Sequence, residues 1–500
     1  MNRKSAVRIL QTLAFCLLLA FSLVSVSNVL ERKESQNRFG PFFEQKEDYD
    51  VIFLGNSHMT DSVLPLELFE NYGIVSYNMA GYGNSIPLSY WVLRNALDYT
   101  TPRVVVLEIH NVRKTYRLSG SSGDEHKALD VFPLSLNKAR AIEDLMSDPE
   151  AFNDDGHAYP DLKWEFYFPI GKYHSRWNNL DREDFVPNPT REKGAGPTVR
   201  VGVPEEYYII DENEVMEENG FGFEYLRKII EECQARNIDV LLTHMPFPAS
   251  EDEQMEGNTV WYIADEYGVD LLDFVNMDQV ADYDTDLADS SHLNISGARK
   301  VTDFLGEYLM AYYDLEDRRQ DPRYADWHEE VQAYRERDLS RIRYQENLEN
   351  LLMLAHGSNL DVCVSVPEDA ALYENEKLMR LMQNIGREHV YEEDMFAKWS
   401  NALFPLERLE EAAASGDQYI ALICADSVEE WVGDEAKDAL DTALGCMELG
   451  ENGSLLSIGT DSGLKELFHA EETLEANAVQ LVFFDRETGE PVHTVQANVR

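Results

Sequence analysis

Between Asp50 and about Tyr313 the chain alternates short apolar runs with longer amphipathic stretches. The apolar runs are DVIFLG, IVSYNMA, RVVVLEI, IDVLLTHM and VDLLDF. Helical patterns such as PLSYWVLRNALDY and FEYLRKIIEECQARN lie between them. Runs that are apolar throughout, rather than at every second residue, predict strands buried on both faces. Alternation with helices predicts a parallel sheet in a three-layer α/β/α fold. In such sheets ligands bind beyond the carboxyl ends of the strands. Ser57, the GYGNS turn, His110–Asn111 and His244 all fall at that edge.

Three further patterns divide the rest. Val112–Phe221 interrupts the alternation and is too long for a plain connection. It carries the aromatic patch WEFYFPIGKYHSRW and reads as either a lid or a stabilising subdomain. After Tyr313 the composition turns strongly charged, as expected for a solvated helical connector with Trp327 and Tyr334 as packing anchors. Beyond it, Leu348–Gly386 can be laid on Leu406–Gly445, each reading helix, turn, strand, acidic turn, helix, glycine. Two copies predict an internally duplicated α/β domain, a binding or assembly module, rather than a solenoid. Its second copy, YIALICADSVEEWVGDEAKDALDTALG, resembles the interleukin-like EMT-inducer domain.

The first residues change the picture of where the chain works. Arg3, Lys4 and Arg8 precede Ile9–Leu30, 22 residues without a charge. That length spans a bilayer, and cations on its N-terminal side predict an uncleaved single-pass anchor with the bulk of the chain outside the cytoplasm. A cleaved signal peptide is the competing reading, because Ser25–Ser27 offers small residues for cleavage. The 500 residues carry a formal charge of −50, which argues against nucleic acid and anionic lipid surfaces as partners. Cys16 lies in the apolar segment; Cys233, Cys363, Cys424 and Cys446 show no metal-like spacing, and a disulfide is neither required nor excluded. The chain is thus expected to comprise an anchor (1–30), a catalytic-type α/β domain (31–315, with insert 112–221), a connector (316–345) and the duplicated module (346–500).

Candidate chemistry centres on FLGNSHMTDS. Ser57 follows the first strand and reads either as a nucleophile or as a helix cap. A nucleophilic serine needs a base, and the base needs a carboxylate to fix its tautomer. DSSH near the end of the domain offers both: Asp289 and His292 stand three apart, before a helix expected to open near Ser296. An oxyanion needs donors, for which Gly83 offers a backbone N–H and Asn111 a side-chain amide. Gly83 also reads as a plain turn glycine and Asn111 as a cap. His58, beside Ser57, is expected to diverge from it. His244 and Glu108 either line the cleft or end strands, and His58, His110, His174 and His244 lack metal-ligand spacing, so no metal or other cofactor is expected.

The order of these blocks resembles the SGNH (GDSL-like) hydrolase and acyltransferase superfamily over about Asp50–Tyr313. Ser57 in GNSHM matches the nucleophile, and Gly83 in NMAGYGNS the second-block glycine. Asn111 in LEIHNVR is the nearest match to the third-block asparagine, and Asp289 and His292 match the final pair. Asn56 stands where the family usually has Asp, and EIHN lacks the full third block. With the N-terminal apolar segment, GNSH and DSSHLN are similar to the branch that includes the teichoic-acid D-alanylation protein DltD and envelope polysaccharide O-acetyltransferases. The resemblance implies a serine esterase or O-acyltransferase handling small acyl esters on cell-envelope glycans, with a membrane-bound acyl-donor protein as a further partner. The alternative is a non-catalytic glycan-binding or assembly protein that keeps the fold. An anionic polymer would need a local cation in so acidic a protein, and Arg176, flanked by Tyr173 and Trp177, is expected to face the Ser57 cleft as the substrate-binding patch; the alternative is that Tyr173 and Trp177 are core and Arg176 is tied to an internal carboxylate.

Overall fold

The computed structural model describes residues 3–365 apart from positions 46, 187, 278–279 and 359. Beyond them it describes 375, 377–378, 380–381 and four strands. The chain opens with α1 (Arg3–Leu30) and α2 (Lys33–Glu44). It continues through β1 (Val51–Leu54), α3 (Ser57–Ser62), α4 (Pro65–Tyr72), β2 (Ser76–Asn78), α5 (Ile86–Ala96) and β3 (Val104–Glu108). The insert holds α6 (Ser122–Leu129), α7 (Leu136–Leu145), α8 (Tyr159–Tyr167) and α9 (Ile170–Tyr173). The α/β alternation then resumes with α10 (Phe221–Gln234), β4 (Asp239–His244), α11 (Glu251–Tyr267) and β5 (Asp270–Asp273), followed by α12 (Tyr283–Asp286) and α13 (Ile295–Tyr312).

The five expected strands form one parallel sheet in the order β2-β1-β3-β4-β5. Their continuous apolar character follows from burial on both faces. Ile52, Leu54, Val105, Leu107, Val240 and Leu242 join the core on one side, with residues of α5, α10 and α11. The alternate residues Val51, Phe53, Val104, Val106 and Leu241 join the core on the other, with residues of α4 and α13. The period of two along a strand sends neighbours to opposite faces, and each face is covered by helices. The chain leaves β1 toward β2 on one side and continues from β3 on the other. The loops after β1 and β3 therefore diverge and open a crevice at their carboxyl ends. Ser57 stands at that switch point.

The connector helix α14 (Ala325–Arg343) is built into the domain more fully than a solvated spacer would be. Trp327 and Tyr334 are buried in the main core, and Arg299 on α13 pairs with both Glu67 and Asp338, all buried. Past α15 (Leu348–Ala355) come β6 (Leu360–Ser365), β7 (His389–Tyr391), β8 (Ala397–Trp399), β9 (Ala478–Asp485) and β10 (Pro491–Asn498). An antiparallel sheet of order β10-β9-β6 and the pair β7-β8 follow from these. The second copy of the duplicated pattern, Leu406–Gly445, lies outside the described residues. At the other end, Val7–Leu30 is long and apolar enough to cross a membrane, with a mean hydropathy of 2.3 over its most apolar window and none of that window buried in the protein. A signal anchor and a signal peptide both fit such a helix.

Candidate active site

Ser57 owes its place to a turn that only glycine can make. Gly55 adopts φ 144°, and a Cβ there would lie 2.4 Å from the Cβ of Glu108 at the end of β3. The chain can therefore leave β1 close against its neighbour and turn at once into α3. The helix cap is Asn56, whose Oδ1 accepts from the backbone N–H of His58 at 2.9 Å. With that duty taken by Asn56, the Ser57 hydroxyl is left to meet His292 Nε2 at 2.8 Å.

His292 comes from a tight loop before α13. Leu287 and Leu293 form an antiparallel bridge, and the Ala288 N–H donates to the His292 carbonyl at 2.7 Å. Asn294 caps α13 by accepting from Ser296 and Gly297, and its amide donates back to Thr285 and Leu287. Within the loop, Asp289 Oδ1 accepts from the Ser291 and His292 backbone N–H groups at 3.0 and 2.9 Å. Both Asp289 oxygens lie 3.1 Å from His292 Nδ1. A carboxylate only accepts, so Nδ1 carries the proton and Nε2 is left as the acceptor facing Ser57. Partial burial pushes the Asp289 carboxyl up, but the two backbone donors and the imidazole outweigh it and hold the group below its ordinary value.

The oxyanion candidates sit on the loops either side. The Gly81 N–H donates to the Gly55 carbonyl at 3.1 Å, which ties the glycine-rich turn to the end of β1. Gly83 in that turn has φ 71°, and a Cβ would meet Asp124 of α6 at 3.0 Å. Asn111 also has positive φ, 72°. Its amide lies 3.2 Å from His110 Nδ1, which the Asn56 amide approaches at 2.9 Å. Two amides thus share one imidazole lone pair, and His110 Nε2 faces Glu253 at 3.4 Å.

Behind Ser57 the rings of His58, His110 and Phe247 pack together, with centroids 4.4 to 5.0 Å apart. His58 has its ring centroid 5.0 Å from that of His292. Burial, then the neighbouring imidazoles, push its pKa well below the ordinary value, so it is neutral. Glu108 ends β3. It accepts from the His110 and Met245 backbone N–H groups, and burial raises its pKa to about 7. His244 is buried with Nδ1 3.2 Å from Asp273, an ion pair without hydrogen-bond alignment. Burial lowers its pKa, but Asp273 and Glu108 reverse the effect and take it to about 9. Among the described residues no group of three or more His, Cys, Asp or Glu has an arrangement that could hold a metal ion.

Arg176, Tyr173 and Trp177, expected to line the cleft, are engaged elsewhere. Arg176 Nη1 donates to the Leu30 and Glu31 carbonyls and Nη2 to Asp184 at 2.8 Å, so this guanidinium closes the C-terminal end of α1. Tyr173 is buried with its hydroxyl on Asp130 at 2.9 Å, and Trp177 is exposed on the 3-10 turn His174–Asn178. This end of the aromatic patch therefore joins the insert to the end of α1. The cation beside the triad is Arg200, in the tail of the insert. Its Nε donates to the Ala288 carbonyl at 2.7 Å, and Nη2 lies 4.0 Å from Asp289 with the side chain 62% exposed. Arg200 stands in a featureless stretch, TVRVGVPEE, and no local signal marks it.

No protein-family model matches the chain, and no curated protein matches it.

Proposed function

We propose that this protein is an extracytoplasmic, membrane-anchored serine esterase or O-acyltransferase of the SGNH type, acting through an acyl-enzyme on small acyl esters of cell-envelope glycans. The observation that carries the reading is the line Asp289–His292–Ser57, closed at 3.1 and 2.8 Å although Ser57 and His292 are 235 residues apart in sequence. His292 Nε2 takes the Ser57 proton as Oγ attacks an ester carbonyl. Asp289 stabilises the imidazolium, which then protonates the departing alkoxide. The Gly83 backbone N–H and the Asn111 amide are the candidate donors to the oxyanion. A glycan hydroxyl or water, deprotonated by His292, then releases the acyl group.

The envelope setting rests on the N-terminal apolar helix and on the resemblance of GNSH and DSSHLN to envelope acyltransferases. In a strongly acidic protein, Arg200 at the rim is the group suited to meet an anionic polymer. Comparing envelope polymers from cells carrying the natural protein and Ser57→Ala tests the reading. Missing ester in the variant means a transferase and excess ester means an esterase. Unchanged ester content would sink both and favour the non-catalytic glycan-binding reading.

A further inference from the structure

The helix that continues the apolar segment reaches into the catalytic machinery. Phe39 and Phe42 of α2 are buried in the main core, and the Tyr77 hydroxyl on β2 donates to the Arg38 carbonyl at 2.6 Å. This places the Arg38 side chain, 8% exposed, beneath the site. Its Nε donates to the Gly194 carbonyl, while Nη2 donates to Thr60 Oγ1 at 3.1 Å and to the Ala80 carbonyl at 2.7 Å.

Each acceptor belongs to a segment that builds the site. Thr60 lies on the nucleophile helix, and its hydroxyl donates to the Asn56 carbonyl at 3.1 Å, next to Ser57. Ala80 opens the glycine turn, one residue before the Gly81 N–H that bonds to Gly55. Gly194 opens the tail of the insert, whose Gly196 N–H donates to the Thr60 carbonyl at 3.1 Å. One rigid guanidinium fork thus joins the nucleophile helix, the glycine turn and the tail of the insert.

Its charge is also unusual. Among the described residues no carboxylate lies within ion-pair distance of Arg38. Its direct partners are two carbonyls, a hydroxyl and the rings of Phe39 and Tyr82, 4.6 and 5.7 Å from the guanidinium carbon. Asp61 is reached only through the Tyr82 hydroxyl, which donates to it at 2.9 Å. With its direct acceptors neutral and the Asp61 and Glu34 carboxylates acting on it only from farther away, the buried positive charge keeps a field at the glycine turn, where negative charge would develop.

We propose that Arg38 is a positioning residue of the Ser57 site: it locks the nucleophile helix to the glycine turn and places fixed positive charge behind that turn, making the anchor's extension part of the active site. The proposal rests on the serine-esterase reading. The test uses the full chain in detergent, with the rate of Ser57 labelling by a fluorophosphonate probe and steady-state hydrolysis of p-nitrophenyl acetate. Removing a direct oxyanion donor costs about 10²–10³ in kcat. Acting one layer behind, Arg38→Ala is expected to lower kcat and the labelling rate roughly 30-fold, with KM changed less than threefold. Arg38→Lys, which keeps charge but loses the fork, should fall between. Added guanidinium ion should restore Arg38→Ala several-fold and leave the natural protein unaffected.

Hydrogen–deuterium exchange gives the arm that does not depend on activity. In Arg38→Ala, faster exchange confined to residues 56–62, 79–85 and 194–197 supports the proposal. Unchanged exchange there, or acceleration spread across the whole domain, overturns it, as does an Arg38→Ala labelling rate within twofold of the natural one. If the natural protein shows no Ser57-dependent labelling, the esterase reading fails, and exchange alone decides the positioning role.

Discussion

Replacing Asp289 by Asn keeps the shape of the side chain and removes its charge. Asp289 Oδ1 already accepts from the Ser291 and His292 backbone N–H groups, so the amide oxygen of Asn would keep that position. The amide nitrogen would then occupy the Oδ2 position, 3.1 Å from His292 Nδ1, and would donate to it. That forces the proton onto Nε2, the atom that must accept from Ser57. The charge contribution can be bounded separately. Opposite unit charges about 4 Å apart interact by roughly 1 kcal/mol in bulk water and roughly 4 kcal/mol at an effective dielectric of 20. With the two side chains 28% and 41% exposed, the pair falls between these limits. About 2 kcal/mol of lost imidazolium stabilisation corresponds to roughly 30-fold in rate. With the tautomer penalty added, the expected fall in kcat is about 10²–10³. It is to be measured on p-nitrophenyl acetate with the thermal midpoint as a check on folding. A fall of less than threefold in a folded variant would refute the assignment of Asp289 as the orienting carboxylate.

Two further outcomes follow from groups around the site. Arg200→Ala should raise KM for an anionic acylated polymer about 3–5-fold more than for a neutral small ester, a difference that shrinks with added salt because the cation is exposed; equal losses on both substrates would mean that Arg200 serves only to hold Asp289 and its loop. Glu125 on α6 is buried with Oε2 unpartnered, and burial, against the Tyr159 hydroxyl and the Gly120 N–H, raises its pKa to about 8. The unfolded chain releases this proton above about pH 4.5 and the folded chain keeps it to about 8, so the group costs stability progressively across that window, on the order of 3 kcal/mol at pH 7. Glu125→Gln should therefore melt higher than the natural protein at pH 8 and nearly equally at pH 4.5; a constant gap across the range would contradict the assignment.

What was legible in the sequence had local causes. The five strands declare themselves because burial on both faces leaves no polar position in Ile52–Leu54 or Val104–Leu107. Asp289 and His292 are legible as a pair because an i, i+3 spacing in one loop brings them together whatever the rest of the fold does. Ser57 was ambiguous between nucleophile and cap because both follow a strand; the neighbouring Asn56 side chain, taking the cap, separates the two. The cations were illegible. Arg176 has aromatic neighbours in sequence, yet its partners Leu30 and Glu31 are about 145 residues away. Arg38 and Arg200 donate mainly to backbone carbonyls of distant segments, and a bond to a backbone carbonyl carries no residue-type signature.

The central claim is that the Ser57 hydroxyl is an activated nucleophile. The most direct measurement is covalent labelling of the purified full-length chain by a fluorophosphonate, with the modified residue located by peptide mass spectrometry. Predicted is a single adduct on the peptide containing Ser57, absent in Ser57→Ala and slowed at least tenfold in His292→Ala. Folded protein that stays unlabelled, or labelling that persists in Ser57→Ala, would contradict the account.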